Sequence, residues 1–298
     1  MTTLITGASG LIGSYLCRTL SERGADVVGL CHNHLISVQD NLQVDVCDLT
    51  DYKDISTIFG LYKPDTVLHF AAHLPSTINP DFIKVNVIGT SNLLDICYSK
   101  GVKNFFYASS MSVYSTPPIR LSVDEEHPTR PDNNYGRTKL IGELLCKCYS
   151  KVMRTIVIRF SSVFGLGDNS RVAYHFMQSA LSGRAIHVDG DGSQSSDFIY
   201  VDDAVEGAIL AMERGKSGDV YNIGSGQETS VLRLANLIAG LVEPKVEVKL
   251  SGKLATRPFR FVADIGKARK ELGYSPSDLV DGLNKYREEI GENGITRD

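Results

Sequence analysis

Tyr135-Gly136-Arg137-Thr138-Lys139 sets a phenol and an ammonium four residues apart. On a helix, positions i and i+4 share a face, so the two groups stand side by side. A free tyrosine titrates near pH ~10 and is a weak base at neutrality. A nearby ammonium favours the phenolate, and a shift of about three units needs roughly 4 kcal/mol of differential stabilisation. Tyr135 and Lys139 therefore read as a proton-transfer couple for oxidising or reducing a hydroxyl-bearing carbon. The spacing alone is common in helices; its weight comes from the company it keeps.

That company begins at the chain start. Thr6-Gly7-Ala8-Ser9-Gly10-Leu11-Ile12-Gly13 follows an apolar run and opens a helical pattern. A tight strand-to-helix turn needs glycine for its backbone angles. Pyrophosphate approaches only where a side chain is missing, and helix-to-sheet packing needs a third small residue. The helix N-terminus offers N–H groups and the positive end of its dipole. Gly7, Ser9, Gly10, Leu11, Ile12 and Gly13 are thus expected to cradle a dinucleotide.

The elements that must position these groups are legible as alternating patterns. Short β-branched or aromatic runs at 4–6, 26–30, 42–46, 66–72, 104–108 and 155–159 lack strict alternation, as strands buried on both faces do. Helical patterns at 11–22, 51–62, 81–100 and 134–150 separate them. This predicts an α/β fold: a Rossmann-type doubly wound parallel sheet over residues 1–160. Residues 161–298 are less regular, with helices expected at 171–182, 203–214, 230–240, 264–272 and 277–290. They are expected to form a smaller α/β substrate-binding region, with about 197–214 packing back on the first.

The glycine spacing G-x-x-G-x-x-G resembles the extended short-chain dehydrogenase/reductase superfamily, which holds the nucleotide-sugar epimerases, dehydratases and reductases. The likeness runs through nearly the whole chain. Asp48-Leu49 resembles the pair that contacts adenine, and His69-Phe70-Ala71-Ala72 the strand end that packs on the cofactor. Asn86-Val87-Ile88-Gly89-Thr90 resembles the N-V-x-G-T helix, whose Asn supports the active-site backbone. Ser109-Ser110-Met111-Ser112-Val113-Tyr114 resembles the S-S-x-x-V-Y segment. The resemblance implies that Ser110 joins Tyr135 and Lys139 as the catalytic hydroxyl, and that Ser109, Phe160 and Val163 line the cofactor. Relatives that prefer NAD carry an acidic residue after the second strand; here Cys31-His32-Asn33-His34 has none. That removes a barrier to a 2′-phosphate, which His32 or Asn33 could meet. The expectation is NAD or NADP, tilted slightly to NADP.

The family's 4,6-dehydratases place an acidic pair where this chain has Met111 and Ser112, so dehydration is not expected. An epimerase and an NADPH-dependent ketoreductase both remain open, with 4-epimerisation of a nucleotide-activated sugar the leading reading. A non-catalytic NADP-binding regulator is the rival of another class, and the presence of Ser110, Tyr135 and Lys139 argues against it. His73, Met111, Ser112, Ser162, Ser196 and Arg257 are the substrate-side expectations. Ser162 and Ser196 stand where the family has Asn and a diphosphate-binding Arg, while Arg257 resembles a second such Arg, with Arg260 near it.

Composition narrows the partners. With 298 residues, 42% hydrophobic, and a net charge of −4, the chain has no basic surplus for nucleic acid or anionic membrane. No apolar run approaches a membrane span, and the N-terminus lacks a signal pattern, so a cytoplasmic protein is expected. The six cysteines include no C-x-x-C pair, and no metal or disulfide is expected. Apolar stripes on 81–100 and 134–150 (Ile83, Val87, Leu94, Leu140, Leu144, Leu145) suggest a homodimer, since family members often pair these helices.

Overall fold

The computed structural model describes residues 1–32, 41–74, 82–168, 170–252 and 260–293. Six strands of the first half are β1 (Thr2–Thr6), β2 (Asp26–Cys31), β3 (Leu42–Val46), β4 (Thr66–His69), β5 (Asn104–Ser110) and β6 (Arg154–Phe160). Between them run α1 (Leu11–Glu22), α2 (Tyr52–Tyr62), α3 (Thr90–Ser99) and α4 (Asn134–Tyr149). The second half contributes β7 (Ser162–Phe164), α5 (Val172–Leu181), β8 (Ile186–Val188), β9 (Ser195–Ser196), β10 (Phe198–Tyr200) and α6 (Val201–Arg214). After these come β11 (Val220–Ile223), β12 (Thr229–Ser230), α7 (Val231–Ala239), β13 (Val248–Leu250) and α8 (Leu279–Asn293).

The main sheet is parallel throughout, in the order β11-β6-β5-β4-β1-β2-β3. Strand order reverses between β4 and β1, and that switch point opens a crevice at the carboxyl ends of the strands. Strand alternation feeds two separate cores. Ile5, Val27, Leu68, Phe106 and Ile158 pack toward α1 and α6. Their neighbours Leu4, Val28, Val67, Phe105 and Val157 pack toward α2 and α3. Both faces are covered, which is why the strands read as continuous apolar runs.

Three features depart from the sequence expectation. The fourth strand stops at His69 instead of residue 72: its partner β1 ends opposite it at Thr6, where the glycine turn begins. The helix expected over 81–100 contains a π-helical stretch, Lys84–Gly89, ahead of α3; widened turns of this kind often carry a functional side chain, and here it is Asn86. The seventh strand of the main sheet, β11, comes from beyond residue 160 and pairs in parallel with β6. α6 also packs on α1. The rest of the second half forms three two-stranded sheets, β7 with β10, β9 with β12 and β8 with β13.

Five cysteines are buried, Cys148 is exposed, and all six are free thiols. Among the described residues no helix is long and apolar enough to cross a membrane, and no cluster of His, Cys, Asp or Glu is arranged to hold a metal.

Candidate active site

Two cavities meet at the switch point. The larger, about 560 Å³, is lined by Gly7, Ser9, Gly10, His32, Asp48, Leu49, Phe70, Ala71, Ala72 and His73, together with Lys84. The smaller, about 180 Å³, is lined by Gly7, Gly10, Leu11, Ile12, Gly13, Ser109, Ser110, Tyr135, Lys139, Phe160, Val163 and Arg171. Gly7, Gly10, Phe70 and Ala72 line both, so the cavities abut across the glycine turn. Asn33 and Arg257 lie outside the described residues.

The turn between β1 and α1 needs glycine at position 7, and the helix it opens needs one at position 13. Gly7 has φ +71°, and a Cβ there would stand 2.6 Å from the Ala71 nitrogen. A Cβ on Gly13 would stand 2.1 Å from the Gly7 carbonyl oxygen. No side chain caps α1, and no acid occupies its first turn. The result is a backbone-lined cradle at a helix N-terminus, which fits a dinucleotide's pyrophosphate. Asp48 is the one acid among the described lining residues of the larger cavity. Burial acts to raise its pKa, but hydrogen bonds from Thr50 outweigh that and hold it below the ordinary carboxylate value. Lys84, which the sequence reading missed, adds a positive charge to the same cavity.

Ser110 ends β5, and Tyr135 lies in the first turn of α4. Their approach depends on Gly136, where a Cβ would stand 2.0 Å from the Ser112 carbonyl oxygen. Asn133 caps α4 by accepting from the Gly136 N–H at 2.8 Å. Ser110 Oγ accepts from the Ser112 N–H at 3.1 Å and bonds the Ser112 hydroxyl at 3.2 Å. Lys139 is 2% exposed; its Nζ donates to the Ala108 carbonyl at 2.8 Å and lies 4.9 Å from the Tyr107 ring centre and 5.8 Å from that of Tyr135. Burial lowers its pKa to about 8.

The electrostatics differ from the motif's expectation. Burial pushes Tyr135 up to about 12, and the opposing pulls come from the Arg171 charge and a Ser110 hydrogen bond. Lys139 is committed to a carbonyl on the sheet side of α4, which leaves Arg171 as the cation that acts on the phenol.

A buried relay joins the two cavities. Thr90 Oγ1 donates to the Asn86 carbonyl at 2.8 Å, so it must accept from His69 Nε2 at 2.9 Å. Burial lowers the His69 pKa to about 3, leaving a neutral ring whose Nδ1 accepts from the Thr6 hydroxyl at 2.7 Å. Asn86 Oδ1 accepts from the His73 N–H at 2.7 Å, and its Nδ2 donates to the His73 carbonyl and to Thr138 Oγ1, both at 3.1 Å. Thr138 in turn donates to the Tyr135 carbonyl at 2.8 Å. Hydrogen bonds thus run from the end of β1 to the backbone of Tyr135. Thr6, His69 and Thr90 lie within the sequence motifs, but of the relay only Asn86, His73 and Tyr135 carry a site role in the sequence.

On the substrate side, the Ser162 and Ser196 hydroxyls bond each other at 2.7 Å. Met111 is 7% exposed and packs into the core. Arg260 is held by both Glu228 oxygens, at 2.6 and 2.7 Å.

A switch-point crevice with a glycine cradle on one side and a Ser-Tyr-Lys cluster on the other defines a Rossmann-type dinucleotide-binding scaffold. The chain belongs to the NAD-dependent epimerase/dehydratase family, whose model matches residues 3–224. It is 33% identical to a UDP-glucose 4-epimerase of Mycolicibacterium smegmatis, over 96% of this chain and 97% of that protein. Among solved structures it is similar to the Thermotoga maritima UDP-glucose 4-epimerase with UDP-glucose (27% identity, TM-score 0.89, 98% of this chain and 99% of that one). It is also similar to a Bacillus cereus UDP-glucuronic acid 4-epimerase in complex with UDP-glucuronic acid and NAD (28%, TM-score 0.86, 99% and 100%). At 28% identity stand a dTDP-4-dehydro-6-deoxy-D-allose reductase of Streptomyces bikiniensis (95% of this chain, 94% of that protein) and a dTDP-glucose 4,6-dehydratase of Haemophilus influenzae (93% of each).

Proposed function

We propose that this protein is an NAD-dependent 4-epimerase of a nucleotide-activated sugar. The observation that carries the reading is that Ser110, Tyr135 and Lys139 line one cavity with the glycine cradle. When bound, the dinucleotide supplies the acceptor and then the donor of hydride. Tyr135 takes the proton of the sugar's C4 hydroxyl and returns it once the keto sugar has turned its other face. The Ser110 hydroxyl holds the reacting oxygen beside the phenol. Lys139, fixed to the Ala108 carbonyl, sets the position of its face of α4 against β5. Dehydration is not part of the proposal, since Met111 and Ser112 supply no acid or base for removing a C6 hydroxyl.

NAD is the preferred dinucleotide because a similar epimerase is named as an NAD complex. A second reading, an NADPH-dependent 4-ketoreductase, draws on the absence of a carboxylate after β2 and on Lys84 and His32 in the same cavity. Denaturing the purified protein and identifying the released dinucleotide separates the two. Co-purified NAD, with C4 epimer formed from UDP-glucose or UDP-glucuronate without added cofactor, supports the epimerase. An empty protein that consumes NADPH with a 4-keto sugar overturns it.

We further propose a homodimer through α3, α4 and the turn before α3. Ile83, Ile88 and Leu144 are exposed there, whereas Leu94 belongs to the core. A one-chain mass by light scattering at micromolar concentration removes this proposal.

A further inference from the structure

Thr138 stands between Tyr135 and Lys139 in the chain, and no motif role attaches to it. It is 3% exposed and lies in α4. Its hydroxyl donates to the Tyr135 carbonyl at 2.8 Å, a local bond that a helical threonine often makes by itself. The second bond is not local. A hydroxyl has one proton, and with that proton on the Tyr135 carbonyl the oxygen accepts from Asn86 Nδ2 at 3.1 Å. Asn86 is 2% exposed and its amide has no slack. Oδ1 accepts from the His73 N–H at 2.7 Å, and the other Nδ2 proton goes to the His73 carbonyl at 3.1 Å. One side chain thus holds both backbone groups of His73. Two residues earlier, the Ala71 N–H donates to Thr6 Oγ1 at 3.2 Å. Ala71, Ala72 and His73 belong to the wall of the larger cavity, and Tyr135 to that of the smaller. The Thr138 hydroxyl joins the two walls.

We propose that Thr138 is a positioning residue for Tyr135: through Asn86 its hydroxyl ties the first turn of α4 to the wall of the dinucleotide cavity, so that the phenol keeps its place relative to a bound dinucleotide. This rests on the epimerase reading of the same cavity. The C4–H bond gives its hydride to the oxidised dinucleotide while the proton on the C4 oxygen goes to Tyr135. The two acceptors must therefore keep one spacing, and keep it again when both transfers reverse. A misplacement of about 1 Å at such a site costs about 100-fold in rate. Packing on the sheet does not set that spacing. Lys139 and Gly142 fix α4 to β5, whereas residues 71–73 lie past the end of β4. The bond from Asn86 to Thr138 crosses from one to the other.

The test compares wild type, Thr138→Val and Thr138→Ser. Valine keeps the branched shape and leaves a buried Asn86 N–H without its acceptor, while serine keeps the hydroxyl. Three quantities are read: NAD affinity by calorimetry, C4 epimerisation of UDP-glucose and UDP-glucuronate, and the Tyr135 signal in fluorine NMR of fluorotyrosine-labelled protein, assigned with Tyr135→Phe. In Thr138→Val, kcat is expected to fall about 10- to 100-fold while KM and NAD affinity stay within about threefold. The Tyr135 signal should shift or broaden. Thr138→Ser should return kcat to within about threefold of wild type and restore the signal. Should Thr138→Val fail to fold, Thr138→Ala carries the same readings. A Tyr135 signal in Thr138→Val that coincides with wild type overturns the proposal, as does unchanged turnover. So does a loss of NAD affinity equal to the loss of turnover, which assigns Thr138 to the cofactor wall. A serine variant as slow as the valine one overturns it too, because the hydroxyl is then not what matters. The fluorine signal needs no substrate. If neither sugar is epimerised yet the signal moves in Thr138→Val and is restored in Thr138→Ser, the epimerase reading fails and the positioning role stands.

Discussion

Glu143 and Arg159 form a buried ion pair one helical turn beyond Lys139, with Nη2–Oε2 at 2.7 Å and Nε–Oε1 at 2.9 Å. The two side chains are 7% and 5% exposed. Glu143 also accepts from the Ser109 hydroxyl at 2.5 Å, and Arg159 Nη1 donates to the Tyr114 hydroxyl at 2.6 Å. The pair therefore ties α4 to the strand end that carries Ser110. Breaking such a pair from one side leaves a buried charge and costs about 3–5 kcal/mol. Glu143→Gln is expected to lower stability in urea unfolding by roughly that amount. A loss below about 1 kcal/mol would mean that the pair is solvated in solution.

Gly142, one position earlier, is the contact point between α4 and β5. A Cβ there would stand 2.1 Å from the Tyr107 hydroxyl oxygen and 2.3 Å from Cζ. Tyr107 is 1% exposed and cannot swing aside, and its ring underlies the Lys139 ammonium. Gly142→Ala is expected to cost about 1–3 kcal/mol, the usual range for overpacking. It should also reduce turnover, because Lys139 moves with the helix. A melting temperature equal to wild type would refute the close contact.

His69 gives the fold an acid-sensitive component. Its folded pKa is about 3, against ~6.5 for an unfolded histidine. Between those values the unfolded chain holds a proton that the folded chain rejects, so stability rises with pH across the window and levels off above it. The contribution is about 1.4 kcal/mol per pH unit inside the window. Unfolding measured between pH 4.5 and 7 should show a slope about one proton shallower in His69→Asn than in wild type. Equal slopes would place a protonated histidine in the folded core.

Tyr135→Phe removes the group that moves the sugar's proton and keeps the ring. Epimerisation is expected to fall by about 10²- to 10⁴-fold, the usual contribution of a positioned acid–base group. The melting temperature should change little. Turnover within a few-fold of wild type would remove Tyr135 from the mechanism.

What the sequence disclosed follows from where its signals are local. The glycine turn, the strand ends and the Tyr135–Lys139 pair are set by neighbours in the chain, and the structure brings them to one crevice. Contacts across long sequence separations were hidden. β11 pairs with β6 more than 60 residues away, and the two lie in halves that were read as separate. Arg171 caps α5, and only tertiary packing brings it into the cavity that Tyr135 lines. The sign of the Tyr135 shift was hidden for the same reason, because burial around a hydroxyl cannot be counted along a helix. His69 looked like a strand residue, and its partners Thr6 and Thr90 like ordinary threonines, until the fold placed them within 3 Å of it.

That relay has a consequence for how the chain can vary. Each hydroxyl or ring in it has a fixed direction of donation, set by the Thr90 bond to the Asn86 carbonyl. Thr6, His69 and Thr90 therefore form one epistatic unit: reversing a donor at any of the three leaves two acceptors or two protons facing each other at the next. Single substitutions within the unit should be harmful where a matched pair is tolerated, and sequence drift would have to cross it in coupled steps.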